Sequence, residues 1–102
     1  MTDRELLELA AKAAGMTIVS RCDDGRCGIE GLGKWWNPLT DDGDAFRLAV
    51  KLEMCVSLEG HGRAVAITVA GLEVEETNRD DPYAATRRAI VRAAAEIERG
   101  MK

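Results

Sequence analysis

A chain of 102 residues with 46% hydrophobic content suits one domain around a single core, burying about two thirds of the surface that its unfolded form exposes. The formal net charge of -4 and a pI near 5.0 argue against generic binding to phosphate backbones, an affinity that comes from clustered Lys and Arg displacing counterions, and leave room only for a local basic patch. No apolar run approaches the ~18 residues that cross a bilayer, and Asp3, Glu5 and Glu8 stand where a secretory leader is positive, so a cytoplasmic protein with no membrane partner is expected.

Thr2 and Glu5 have the spacing of a capping box, and Leu6, Leu9, Ala10 and Ala13 follow on one face of a first helix that Gly15 stops. Met16 to Arg21 reads as a strand. Asp24-Gly25 is a favoured two-residue hairpin turn, and residues 26–30 form the returning strand. Residues 31–39 read as a loop or irregular edge, because Gly31 and Gly33 loosen the chain and Pro38 forces Asn37 out of helical conformation.

Thr40 is the expected N-cap of a second helix with Asp41, Asp42 and Asp44 in its first turn, and Ala45, Leu48, Ala49 and Leu52 form its apolar stripe. Met54, Val56 and Leu58 alternate with Cys55 and Ser57 as in a half-buried strand, and residues 59–63, EGHGR, close a hairpin. Val65, Ile67 and Val69 alternate with Ala64, Ala66, Thr68 and Ala70 on the next strand, which runs on through Val74 if Gly71 is a bulge. The last helix has Asp81 as N-cap, Pro82 at its first position and Gly100 just past its end. Its inner stripe is Ala85, Ala89, Ala93 and Ile97, widened by Ile90 and Ala94, and so many alanines imply a close approach to the sheet. The expected fold is a single α+β domain over residues 1–102. It has the order α-β-β-α-β-β-α, with a four-stranded antiparallel sheet and three helices in a layered sandwich.

Two segments, WNPLTDDGDAFRLAVKL and DPYAATRRAIVRAAAEI, resemble the small bacteriophage proteins grouped as the phage ABA sandwich domain, and with the hairpin between them the resemblance covers residues 35–99. It implies a layered helix-sheet fold, a phage or prophage origin and a place in the host cytoplasm. It carries over no catalytic residue.

Trp35, Trp36 and Asn37 are the candidate partner-binding residues. Neighbouring residues of an extended segment point in opposite directions, so if Trp36 faces the core then Trp35 faces outward; both could instead cap the core. An outward indole suits a protein interface. Arg87, Arg88 and Arg92 lie with Arg99 on or beside one face of the last helix. They read as a solvated face helped by an Arg92–Glu96 pair, or alternatively as a nucleic-acid or nucleotide site on a homodimer. Cys22 and Cys27 would stand opposite each other across the first hairpin, fit for a disulfide or half a zinc site, although three irregularly spaced cysteines read as reduced thiols. Cys55 and His61 do not complete a common zinc pattern, His61 has no activated nucleophile beside it, and the aspartates read as caps. The expectation is a non-enzymatic protein without metal or cofactor. It would act by binding a protein partner, either a host or defence component or a second copy of itself.

Overall fold

The computed structural model describes residues 1–20 and 27–100, and the Asp24-Gly25 turn and Cys22 lie outside the described residues. The chain order is α1 (Asp3–Ala13), β1 (Ile18–Ser20), β2 (Cys27–Ile29), β3 (Trp35–Trp36), α2 (Asp42–Lys51), β4 (Cys55–Gly60), β5 (Arg63–Ile67), β6 (Glu73–Thr77) and α3 (Pro82–Gly100). The three helices stand as expected. The single four-stranded sheet does not: the strands form two antiparallel sheets of three, ordered β1-β2-β3 and β4-β5-β6.

Two local features account for the extra strands. Of the two readings of 31–39, loop or irregular edge, residues 35–36 take the second, as a short edge strand pairing Cys27 with Trp36 and Gly28 with Trp35. After Ile67 the chain turns back instead of passing through a bulge. Gly71 adopts φ +92°, its N–H donates to the Thr68 carbonyl at 2.9 Å, and the Leu72 N–H donates to Thr68 Oγ1 at 3.1 Å. That left-handed residue lets β6 fold against β5, with Ala66 opposite Val74.

The hairpin between β4 and β5 follows the EGHGR reading. Gly60 pairs with Arg63, and His61 and Gly62 between them have φ of +54° and +75°, the two positive values of a type I′ turn. At α1 the capping box is complete, with the Glu5 N–H donating to Thr2 Oγ1 at 3.2 Å and the Thr2 N–H donating to Glu5 Oε1 at 3.1 Å. The cap of α2 is Asp41 and not Thr40: its carboxylate takes the Asp44 N–H at 2.7 Å, a stronger acceptor one residue on. Asp81 caps α3 through the Ala84 N–H at 3.1 Å, and Gly100 is the last helical residue.

The organising element is α3. The stripe Ala85, Ala89 and Ala93 is buried as read, but Val91 and Ala95 are also sealed, because the helix is covered on more than one side. It packs on β5 and β6, and α1 and α2 both lie against it. On the sheet the residues facing inward are Ala64 and Ala66, both buried, with Val56 and Val74 paired to Ala66 on the same face. Alanine on helix and strand lets the layers come close, as the composition implied. The stripe of α1 is likewise rotated from its reading: Leu6, Leu7, Ala10 and Ala11 are buried, whereas Leu9 is only half-buried.

Candidate functional site

Asp44 shapes the segment that carries the tryptophans. It is 3% exposed, accepts from Lys34 Nζ at 2.9 Å, from the Asn37 N–H at 3.0 Å and from Arg47 Nη2 at 3.0 Å, and so ties both ends of the Lys34–Asn37 segment to α2. Burial pushes its pKa up, but the bonds from Lys34, Asn37 and Arg47 outweigh that and hold it below the ordinary carboxylate value. The three aspartates are therefore not equivalent caps. Asp41 caps, Asp42 pairs with Arg87, and Asp44 is a buried anchor.

This anchoring separates the predicted partner-binding residues. Trp36 is 2% exposed and joins the core with Cys27, Ile29 and Leu48, whereas Trp35 is 54% exposed on the other side of β3. Asn37 is half-buried and occupied as a scaffold: Oδ1 accepts from the Leu39 N–H at 3.0 Å, and its carbonyl accepts from the N–H groups of Thr40 and Asp41. Of the three residues, only Trp35 has a bulky side chain more than half exposed.

The arginines of α3 do not form one open stripe either. Arg87 donates to the Leu39 carbonyl at 2.8 Å and pairs with Asp42, Arg88 pairs with Asp3 at 3.0 Å, and Arg92 pairs with Glu76 of β6. Arg88 also reaches Glu76, at 3.7 Å, so the three arginines together tie α3 to the Leu39–Asp42 segment, to α1 and to β6. The helical Arg92–Glu96 pair gives way to these contacts, and Glu96 pairs with Arg99 at 2.9 Å.

Cys27 is fully buried and disulfide-bonded, which corrects the reduced-thiol expectation there. The strands of its sheet have three, three and two residues, a short ladder to which a covalent tie adds chain-entropy stabilisation. Cys55 is a free, exposed thiol. Among the described residues no group of three or more His, Cys, Asp or Glu is placed to hold a metal ion.

A groove of about 510 Å³ runs between α2, β4 and α3. Its floor is Ala45, Ala49, Met54, Val56 and Ile90. Its walls carry Phe46 and Val50 one turn apart on α2, Leu58 on β4 and Tyr83 in the first turn of α3, exposed by 69, 61, 73 and 69%. The sequence signal was present at positions 46, 50 and 58. In a stripe taken at 45, 48, 49 and 52, however, Phe46 and Val50 fall outside the inward face. At the rim Arg87 and Asp42 neutralise each other, and Glu53 closes one end with φ +56°. A second cleft of about 460 Å³ lies on the opposite flank of α2, lined by Trp36, Asp44, Arg47 and Lys51, and Trp35 lines neither.

Fold and surface thus define a small α+β domain with an apolar groove between α2, β4 and α3. No protein-family model matches the chain, and neither a curated protein nor a solved structure shows significant similarity to it. Among the described residues no helix is long and apolar enough to cross a membrane.

Proposed function

We propose that this chain is a non-enzymatic accessory protein of a bacteriophage or prophage, acting in the host cytoplasm by protein–protein binding. The contact surface is the groove between α2, β4 and α3, with Trp35 as a second, smaller apolar surface. One observation carries the reading: four large apolar side chains stand more than half exposed around one concavity. A lone exposed hydrophobe is ordinary, but a contiguous patch of aromatic and aliphatic groups marks a contact site, and Phe and Tyr there supply rigid anchors. The phage assignment rests on the resemblance across residues 35–99.

The alternative, a nucleic-acid module on α3, has less support, because Arg87, Arg88 and Arg92 already hold carboxylates that a phosphate would have to displace. The test is photo-crosslinking in cells with a benzophenone side chain placed at Phe46 or, separately, at Trp35. Protein adducts at position 46 that vanish on Leu58→Glu are expected. Adducts at position 35 alone would move the contact surface to β3, and none from either position would refute binding through these surfaces.

A further inference from the structure

We infer that the occupant of the groove is a second copy of this chain, joined along β4 across a two-fold axis; this rests on the protein-binding reading above. Three features on the same side of the molecule lead there.

The first is the edge itself. β4 is an outer strand, and among the described residues its outer side has no strand beside it. The two edges of the larger sheet are protected very differently. β6 carries Glu73, Glu75 and Glu76 within five residues, the charge-bearing edge that soluble proteins use to block unwanted pairing, whereas β4 reads Cys-Val-Ser-Leu-Glu-Gly with a single charge near its end. One edge is guarded along its length; the other is left available over residues 55–58, before the register shift between Leu58 and Gly60.

The second is the self-complementarity of β4, which a two-fold interface requires because the same patch faces itself. In antiparallel pairing centred on Ser57, Ser57 meets its own copy and Val56 meets Leu58, all within the regular part of the strand before the register shift between Leu58 and Gly60. No like charges stand opposite. Residues directly opposite share a face, so Val56 and Leu58 of both copies fall together on the helix side, and the neutral Ser57 pair falls on the other.

The third is continuity between edge and groove. Val56 and Leu58 belong both to the edge strand and to the groove that Phe46 and Val50 overhang. Pairing along β4 turns the two grooves toward each other, so one contact would satisfy the strand edge and cover the exposed apolar walls. A partner meeting only the groove would leave the edge open. Trp35 is outside the groove lining, so this contact does not involve it.

The experiment uses the purified full chain. Light scattering at about 100 µM should give twice the 11.1 kDa of one chain, a concentration at which a dimer of low-micromolar Kd is largely assembled. Leu58→Arg, at an exposed position, should return the mass to that of one chain with an unchanged circular dichroism spectrum. Ser57→Cys in a Cys55→Ser background should give a covalent dimer on oxidation, since opposite residues of an antiparallel pair have Cα atoms about 4.5 to 5.5 Å apart, within disulfide reach. A wild-type chain that stays monomeric overturns the inference. So does a dimer that survives Leu58→Arg and forms no Ser57→Cys cross-link. If the chain is monomeric and a benzophenone at Phe46 captures a different polypeptide, the second-copy inference fails while the binding reading survives; if that probe captures nothing, the groove reading fails as well.

Discussion

Replacing Asp44 by Ala removes one buried carboxylate from three donors, and the structure gives the size of the effect. The Asn37 N–H loses a charged acceptor in a half-buried setting, worth about 1.5 to 3 kcal/mol. Lys34 and Arg47 are exposed cations, at 49 and 63% of their side-chain surface, so each lost ion pair costs only about 0.2 to 1 kcal/mol after solvent screening. A loss of about 3 kcal/mol is expected. For a domain of this length it would lower Tm by about 12 to 24 °C. Urea and thermal unfolding followed by circular dichroism measure it, and Trp fluorescence reports whether Trp36 stays buried. The pH dependence supplies a second signature. The folded-state pKa of Asp44 lies below its unfolded value, so its contribution is fully present above that unfolded value and fades as pH falls through the folded one. Between neutral pH and about pH 3, the wild type should therefore lose more stability than Asp44→Ala. A variant within about 0.5 kcal/mol of wild type, or equal acid sensitivity in both, would refute the anchoring role of this carboxylate.

Arg87→Ala should cost about 1 to 3 kcal/mol, because Arg87 is 15% exposed and the Leu39 carbonyl loses its side-chain donor, whereas Arg88→Ala at a 39% exposed site should cost no more than about 1 kcal/mol; urea midpoints separate them. Gly62→Ala should destabilise by more than about 2 kcal/mol, since φ is +75° and a Cβ there would lie 2.3 Å from the Asn78 carbonyl oxygen; at Gly60, with φ +84° and open space, the same change should cost about 1 kcal/mol, and thermal melts decide it. Glu53→Gly should stabilise by about 0.5 to 1 kcal/mol in chemical denaturation, because Glu53 holds at the end of α2 the left-handed position that Gly15 holds after α1.

Much of this fold is legible because its signals are local. The Thr2–Glu5 box, the Asp81-Pro82 helix start and the Gly-His-Gly hairpin each involve residues within a few positions of one another, so their signals can be read without knowing any long-range contact. The fold class and all three helices follow from such cues. The alternation at 54–58 likewise located β4, although not its place at an edge.

What the sequence alone determined is therefore the inventory of elements and the polarity of most faces. Tertiary structure decided how the strands divide into two sheets, which side chains the arginines of α3 hold, and where the apolar surplus stays exposed. Arg87 meets Asp42 from 45 residues away and Arg88 meets Asp3 from 85, and no helical periodicity encodes such pairings. In an isolated helix those arginines would be solvated; once α1, α2 and the larger sheet surround α3, nearby carboxylates compete with water for them. The groove has the same origin. Phe46, Val50, Leu58 and Tyr83 come from three elements, and only the packing of α2 beside α3 and β4 makes them one surface.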